Sequence, residues 1–257
     1  MRRATLSLAL VALLLAGASP AVASGFDVRL GGFFPRGRDC GIPSNRPAEY
    51  TLFQDVCELY VPEGHGLGDM DWKSEFSGLY GGIEYNQVLM DYVEVGVHFD
   101  YYSKTVDTSY RDYTWDDGSE IRQQLRLRAA PLGLTIRFLP TAKKAKIVPF
   151  VGGGIDAIFY EYEEYGDFVC FPPAAGACRF DYDVVPDAFK ADSTAFGFHA
   201  LGGLRVYLNR DFAIVGEGRY QWAGHDMGDD FAPNEPGLVN RIDLSGWTFT
   251  VGLPARF

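Results

Sequence analysis

The sequence lacks an apolar run long enough to cross a membrane as a helix once its first 23 residues are set aside. A spanning helix needs about 20 consecutive, mostly apolar residues, so any membrane insertion of residues 24–257 requires β-strands. The first 23 residues have a basic start, an apolar run at residues 6–16 and an Ala-x-Ala site that ends at Ala23. These three features are typical of a secretory signal peptide, which we assign to residues 1–23.

Basic residues are scarce. The chain has 23 Lys and Arg against 34 Asp and Glu, for a formal net charge of −11, and removal of Arg2 and Arg3 with the signal peptide takes it to −13. Nucleic-acid binding rests on neutralising phosphates with basic side chains. We therefore expect an exported protein with no nucleic-acid partner.

Cysteine is also scarce, and its four positions are Cys40, Cys57, Cys170 and Cys178. All four lie outside the segments that read as strands. In an oxidising compartment the simplest pairing is local, Cys40 with Cys57 and Cys170 with Cys178. The alternative, a zinc site, is not favoured because the spacings are not of zinc type and no His lies close to either pair. We expect no bound metal and no cofactor.

Aromatic residues and glycine are abundant, at 15% of the chain and 30 residues. Alternation of apolar and polar residues recurs eight times and is clearest over residues 93–102, where period two is a strand signal that a helix does not produce. The eight segments are residues 26–34, 78–85, 93–102, 121–138, 147–160, 194–208, 212–222 and 241–257.

The fourth segment changes phase within its length. Leu125 and Leu127 are apolar at odd positions, whereas Leu132 and Leu134 are apolar at even positions. Because proline interrupts ladder pairing, the pattern predicts a bulge at Ala130–Pro131.

Short and long connections alternate along the chain. The three short connections are residues 86–91, 140–146 and 209–211, and the four long ones are residues 35–77, 103–119, 161–192 and 223–240. In an antiparallel meander this order places every long loop at one end and every tight turn at the other. Outer-membrane barrels have this asymmetry.

The two faces of the predicted strands differ in a way that fits the same class. One face is bulky and nearly free of charge, and the other carries charge and many glycines, which suits an interior where eight strands crowd together. Aromatic residues flank the three short turns, among them Phe138 with Phe150 and Tyr207 with Phe212. This placement predicts an aromatic girdle at a membrane boundary.

The charged face predicts an ion-pair network that fills a closed lumen, because buried charges are tolerated when they are paired. Its predicted members are Asp27, Arg29, Glu84, Glu94, His98, Asp100, Arg126, Arg128, Asp156, His199, Arg205, Glu217 and Arg219.

The eight-stranded meander, the PFVGGGID stretch at residues 149–156 and the terminal Phe257 with apolar alternate positions resemble the porin-like outer-membrane β-barrel domain family, which includes the OmpA-type and opacity-type barrels. The resemblance covers residues 24–257. It implies an all-β fold, an eight-stranded antiparallel up-and-down transmembrane β-barrel in the outer membrane with both termini in the periplasm. It also implies that Phe249, Val251, Leu253 and Phe257 form the insertion signal that the barrel-assembly machinery reads.

The function predicted from these features is a structural or surface-interaction role, namely envelope integrity, adhesion or recognition, through long acidic loops. The expected partners are outer-membrane lipid and lipopolysaccharide, the assembly machinery and an extracellular protein ligand. A narrow passive pore and a lipid A-modifying enzyme are the alternatives. We predict no catalytic residues, since His98 has Asp100 but no serine on its face, and the His225–Asp226 pair lies in a predicted loop.

Overall fold

A ring of eight antiparallel strands forms the body of the computed structural model. The structure describes residues 24–36, 59–62, 72–90, 92–140, 145–171, 180–209, 212–227, 231 and 241–256. The strands of the ring are β1 (Ser24–Pro35), β3 (Gly78–Met90), β4 (Val93–Thr114), β5 (Glu120–Phe138), β6 (Ile147–Val169), β7 (Val184–Tyr207), β8 (Ala213–Asp226) and β10 (Gly246–Arg256).

Each strand of the ring pairs with the next one along the chain, and β10 closes the ring by pairing with both β1 and β8. Two short strands lie beside it: β2 (Tyr60–Pro62) pairs with β4, and β9 (Arg241–Asp243) pairs with β8. A single helical turn, α1 (Trp72–Glu75), precedes β3. Within the described residues, no helix is both long and apolar enough to span a bilayer. The predicted eight-stranded up-and-down antiparallel barrel is confirmed.

Large apolar side chains cover the outside of the barrel in a continuous band, which we call the membrane belt. Its members are exposed although they are aliphatic or aromatic; Ile155, for example, is 64% exposed and Phe249 is 53% exposed. The belt comprises Phe26, Val28, Leu30, Phe34, Leu79, Ile83, Phe99, Tyr101, Leu132, Leu134, Ile136, Phe138, Ile147, Val151, Ile155, Phe159, Phe196, Phe198, Leu204, Ile214, Trp222, Trp247, Phe249, Val251 and Leu253. An exposed apolar surface of this extent is stable in hydrocarbon and not in water.

Beyond the belt, four strands continue and their polarity inverts. We call the described parts of residues 102–129 and 160–193 the extension. On β4 the outward positions after Tyr101 are Ser103, Thr105 and Asp107, while Tyr102 and Val106 are buried inside. The extension therefore has the layout of a water-soluble sheet, with its apolar side chains enclosed.

This inversion accounts for the phase change at Ala130–Pro131, and the predicted bulge is wrong. The pairing of β5 with β6 runs without interruption from Gln123↔Gly166 to Phe138↔Val151. The strand keeps its register, and only the surroundings of its outer face change from water to hydrocarbon. For the same reason most of the described parts of the predicted long loops 103–119 and 161–192 are strand, and the β4–β5 connection is a tight turn at residues 115–119.

Two apolar clusters lie inside the barrel, one at each end of a charged layer. The upper core, on the extension side, includes Phe33, Phe76, Tyr102, Leu125, Leu127, Ile158, Tyr160, Tyr162, Ala195 and Ile242. The lower plug, near the short turns, consists of Leu139, Val148, Phe150, Leu201 and Val215. Phe150 is 2% exposed and Tyr207 packs against the plug, so these two rings are not part of the predicted outer girdle, whereas Phe138 and Phe212 do point outward.

A charged side chain introduced on the outer face within the belt should destabilise the barrel. Substitution of Ile155 by Arg places a guanidinium near the middle of the belt and should lower the free energy of unfolding by about 2–4 kcal/mol. The control is Asp192→Arg on the outer face of the extension, opposite Glu161 in the adjacent strand, which should be nearly neutral. Urea unfolding in lipid vesicles measures both, and equal losses would contradict the position of the belt.

Candidate functional site

The charged layer between the upper core and the lower plug is the most unusual feature of the interior. All of its ionisable side chains are almost completely shielded from water, with Glu217 the most exposed at 6%. Eleven of the thirteen predicted network residues lie in it: Asp27, Arg29, Glu84, Glu94, His98, Asp100, Asp156, His199, Arg205, Glu217 and Arg219.

Arg29 on β1 lies at the centre of the layer and contacts three carboxylates. Its Nη2 donates to both oxygens of Asp100 at 2.8 and 3.0 Å, and its Nη1 lies 2.8 Å from Glu84 and 3.2 Å from Glu217. Three acids from three other strands thus converge on one guanidinium. A planar group with five donors is suited to this role.

Arg137 on β5 also belongs to the layer, although it was not among the residues predicted for the lumen. It donates to Glu84 through both nitrogens, to Asn86 at 2.8 Å and to Glu217 at 2.8 Å. The signal was present in the sequence, because the apolar positions 134, 136 and 138 require residue 137 to face inward. The layer's other arginines are Arg205, which binds Glu94 in a bidentate pair at 2.8 and 2.9 Å, and Arg219.

The placement of Arg126 and Arg128 in the lumen was wrong. Both lie on the outer face of the extension, where Arg126 pairs with Glu163 and Arg128 donates to Glu161 at 2.5 Å. Lys190 also donates to Glu161 at 2.7 Å. These five residues form a charged rim directly beyond the belt. Odd positions of β5 face inward along the whole strand, and in the extension these positions are mostly apolar, so its even-numbered arginines face outward.

The two lumen histidines are joined by a relay of hydrogen bonds through Thr135. His199 Nδ1 lies 2.7 Å from Asp156 Oδ2, and its Nε2 lies 3.0 Å from Thr135 Oγ1. Thr135 Oγ1 is also 3.3 Å from His98 Nδ1, and Arg219 Nη1 is 2.9 Å from His98 Nε2. A guanidinium only donates, which makes His98 Nε2 an acceptor and Nδ1 the protonated nitrogen. Neutral rings then satisfy the whole chain, from Arg219 through His98, Thr135 and His199 to Asp156.

Glycines make the layer sterically feasible. A Cβ on Gly133 would collide with Asp156 Oδ1 and with the His98 ring, and a Cβ on Gly154 would lie 2.8 Å from His199 Cε1. The charged side chains therefore lie flat across glycines of neighbouring strands. This explains why the glycines of the sequence accumulate on its charged face.

Within the upper core, the Tyr60 and Tyr162 hydroxyls meet the Glu164 carboxylate. The Tyr162 hydroxyl donates to Glu164 Oε1 at 2.7 Å and the Tyr60 hydroxyl lies 3.3 Å from Oε2. Burial raises the pKa of the Tyr60 phenol well above its usual range, and the Glu164 carboxylate raises it further. Tyr60 therefore remains a neutral donor at physiological pH.

The remaining predicted site residues are placed only in part. Phe249, Val251 and Leu253 project outward into the belt from β10, while Phe257 lies outside the described residues. Cys170 is buried at the end of β6 and is not a free thiol, whereas Cys40, Cys57 and Cys178 lie outside the described residues. The two cysteine pairings and the signal peptide at residues 1–23 stay predictions.

An apolar outer belt, a closed antiparallel ring of eight strands and a paired charged interior define a transmembrane β-barrel. No protein-family model and no curated protein matches the chain. Among solved structures, the chain is similar to Neisserial surface protein A at 10% identity and a TM-score of 0.42, over 91% of this chain and 97% of that one.

Two further solved structures give a similar result. The attachment invasion locus protein Ail of Yersinia pestis has 10% identity and a TM-score of 0.36 over 92% of this chain and 99% of its own. Outer membrane protein W of E. coli has 14% identity and a TM-score of 0.36 over 92% and 100%. At these scores the conclusion about fold rests on the strand pairing described above. That pairing confirms the fold expected from the family resemblance.

Because Arg137 lies in the buried layer and Arg126 on the outer face, substitution of these two arginines should affect stability differently. Substitution of Arg137 by Leu leaves Glu84 and Glu217 buried with one partner fewer, and should cost about 3–5 kcal/mol of unfolding free energy. Arg126→Leu removes a partly exposed pair with Glu163 and should cost less than about 1 kcal/mol. Reversible urea unfolding in detergent or vesicles measures both. A larger loss for Arg126→Leu than for Arg137→Leu would contradict the assignment of Arg137 to the buried layer and Arg126 to the outer face.

The enclosed layer also predicts that the barrel does not conduct ions. The upper core and the lower plug exclude water from both ends of the layer, so purified folded protein in planar bilayers should give no stable conductance steps. An open porin added to the same bilayer serves as the positive control. Reproducible steps from the folded protein alone would show that the layer rearranges into a channel.

Proposed function

We propose that this protein is an integral outer-membrane barrel whose role is structural and interactive, exerted through the extension. The observation that carries the proposal is the extension itself, an ordered sheet that continues the barrel well past the belt. The pairing of β6 with β7 runs without a break to Val169↔Val184. A folded sheet with its own apolar core holds its outer residues in fixed positions, which lowers the entropy lost on binding a partner.

The end of the extension carries a group of exposed rings, which we call the aromatic tip. Trp115, Phe171, Phe180 and Tyr182 are 39%, 38%, 65% and 57% exposed, respectively. Tyr113 packs between Phe171 and Tyr182, at centroid distances of 5.4 and 6.3 Å. Exposed rings that are held by other rings are typical anchors of protein interfaces.

The backbone conformation of Tyr182 also supports a binding role for the aromatic tip. Its φ is 67°, a left-handed conformation that bulky residues rarely adopt. The conformation is held by pairing with residue 170, since Tyr182 N donates to Cys170 O at 2.6 Å and Cys170 N donates to Asp183 O at 2.8 Å. Strained exposed residues concentrate at functional sites. A Cys170–Cys178 bond would tie this same segment together.

The charged rim beyond the belt suits contact with lipopolysaccharide, our proposed lipid partner. Arg126, Arg128 and Lys190 can pair with lipid A phosphates, and the rim carboxylates Glu161 and Glu163 can share divalent cations with the same phosphates. Contact of the rim with lipid A requires the extension to lie on the outer side of the membrane. The short turns and both termini then face the periplasm. The outward apolar positions of β10 then form the signal for the barrel-assembly machinery.

The geometry favours neither alternative function. His98 is fully buried within the charged layer, where no lipid chain can reach it, and Thr135 is the hydroxyl beside it. His225 lies 3.0 Å from the Tyr160 hydroxyl, which occupies its Nδ1. We propose a non-enzymatic role, and the enclosed layer argues against a passive pore.

Surface labelling tests the orientation. Asp116→Cys at the β4–β5 turn should react with a membrane-impermeant maleimide on intact cells, and Asn209→Cys at a short turn should react only after lysis. Labelling of position 209 on intact cells would invert the proposed topology.

The recognition role is tested by adhesion. Cells that express the protein should adhere to surfaces coated with fibronectin, laminin or serum proteins above the level of cells with an empty vector. Replacement of Trp115, Phe171, Phe180 and Tyr182 by Ser should reduce adhesion about tenfold or more, because a single anchoring ring contributes about 2 kcal/mol.

The control for adhesion is Glu120→Ser with Arg122→Ser, an exposed pair at the same end of the extension that leaves the net charge unchanged. Both variants must migrate as folded barrels on unboiled gels. Equal adhesion of wild type, aromatic variant and empty vector on all coatings would overturn the recognition role.

A further inference from the structure

Three potential metal ligands converge in the lumen from three different strands. His98 on β4, Asp156 on β6 and His199 on β7 each place one ligand atom within 4.8 Å of the other two, and all three residues are buried. His98 Nε2 lies 3.1 Å from Asp156 Oδ1, and His199 Nδ1 lies 2.7 Å from Asp156 Oδ2. No metal was expected from the sequence, where the cysteine spacings are not of zinc type. The three lumen residues are separated by more than forty positions along the chain, so the sequence does not show that they meet.

Asp156 Oδ1 is the unsatisfied atom of this cluster. The residue is 3% exposed, and no hydrogen bond reaches Oδ1. The ring nitrogen next to it, His98 Nε2, uses its lone pair to accept from Arg219 in the neutral relay described above. That nitrogen therefore offers no proton to Asp156 Oδ1, although the two atoms are only 3.1 Å apart. A buried carboxylate oxygen without a donor is costly, and a cation or a proton bound between the two atoms would remove this cost.

The net charge of the layer also favours a bound cation. Among the described residues, six carboxylates and four guanidiniums are buried in the layer, which leaves two negative charges when all six carboxylates are ionised and the histidines are neutral. The carboxylates are Asp27, Glu84, Glu94, Asp100, Asp156 and Glu217, and the guanidiniums are Arg29, Arg137, Arg205 and Arg219. Unbalanced charge is costly in an interior that excludes water, and one divalent cation would balance it.

We propose that His98, Asp156 and His199 bind one divalent transition-metal cation, with Zn²⁺ as the best match. Two imidazoles and a carboxylate are common zinc ligands, with metal–ligand distances of about 2.0–2.2 Å. Two such ligands on a tetrahedral ion lie about 3.3 Å apart, close to the 3.1 Å between His98 Nε2 and Asp156 Oδ1.

Thr135 supplies the outer support that such a site needs. With the cation on His98 Nε2 and His199 Nδ1, the opposite nitrogens of both rings carry protons and point at Thr135 Oγ1, at 3.3 and 3.0 Å. One hydroxyl oxygen can accept both bonds. Hydrogen bonds of this kind fix the tautomer and orientation of histidine ligands.

Binding requires two rearrangements. Arg219 releases His98 Nε2, and the His199 proton moves from Nδ1, where it binds Asp156, to Nε2, where it binds Thr135. Arg219 keeps its contacts with Glu217 at 3.0 and 3.3 Å and with Asp100 at 3.4 Å. Because the upper core and lower plug enclose the site, the cation enters while the barrel folds and leaves only when it unfolds. Protonation of both histidines would supply the same two charges, and the experiment separates the two cases.

The test is refolding of the full mature chain into detergent micelles with Zn²⁺ or Co²⁺ in excess, followed by EDTA and gel filtration. We expect one cation per folded chain by elemental analysis, and with Co²⁺ the visible absorption bands of a tetrahedral N/O site. Unfolding in the presence of EDTA should release the cation completely.

Substitutions identify which residues hold the cation. His98→Asn with His199→Gln, and separately Asp156→Asn, should abolish retention, whereas His225→Gln, whose ring contacts Tyr160 instead, should retain one cation. Thr135→Val keeps all three ligands and should raise, by about 10–100-fold, the Zn²⁺ concentration needed to load the barrel when it refolds in the presence of a competing chelator. This variant tests the site if the ligand variants do not fold. A folded wild type without a cation and without cobalt bands, or retention that depends on His225, would overturn the proposal and assign the missing charge to protons.

Discussion

Pairing of buried carboxylates with four arginines is the interaction on which the rest of this barrel depends. A ring of eight strands leaves an interior that side chains must fill, and its outer face is already committed to apolar groups. The polar residues of every strand therefore meet at the axis, where each charge needs a partner. Arg29 and Arg137 together contact four acids on three other strands, so the same bonds that neutralise the interior also hold opposite walls of the barrel in register.

The outer surface follows from a second constraint, the change of solvent along one strand. Strand β5 keeps a single register, yet its outward side chains change from Leu132 and Leu134 to Arg126 and Arg128 within a few residues. Hydrocarbon and water impose opposite preferences on the same face, and the strand meets both without a break in its ladder. The belt and the extension are therefore parts of one continuous sheet, whose outer face meets hydrocarbon in the belt and water in the extension.

This change of solvent also explains which features could be predicted from the sequence. Alternation over residues 93–102 gave the correct faces of β4, because its outermost apolar side chains, Phe99 and Tyr101, lie in the belt, where apolar means outward. The same rule failed at Arg126 and Arg128, where apolar no longer means outward, and it placed a bulge at Pro131 where only the surroundings change. Arg137 was accessible to the pattern and was missed. The His98–Asp156–His199 cluster was not accessible, because its spacing depends on how β4, β6 and β7 meet across the ring, which alternation within one strand does not contain.

The position of the charged layer determines where function can reside. Its charges are held between two apolar clusters, and moving them would expose unpaired ions to a region without water. The interior is therefore suited to rigidity and to ligands that enter during folding, and poorly suited to transport or to exchange with lipid. In the proposed role, interaction with the surroundings falls to the extension, where apolar groups of the upper core are enclosed and rings and charges face outward. A rigid barrel that supports the aromatic tip well beyond the belt divides these two tasks between the two halves of the same strands.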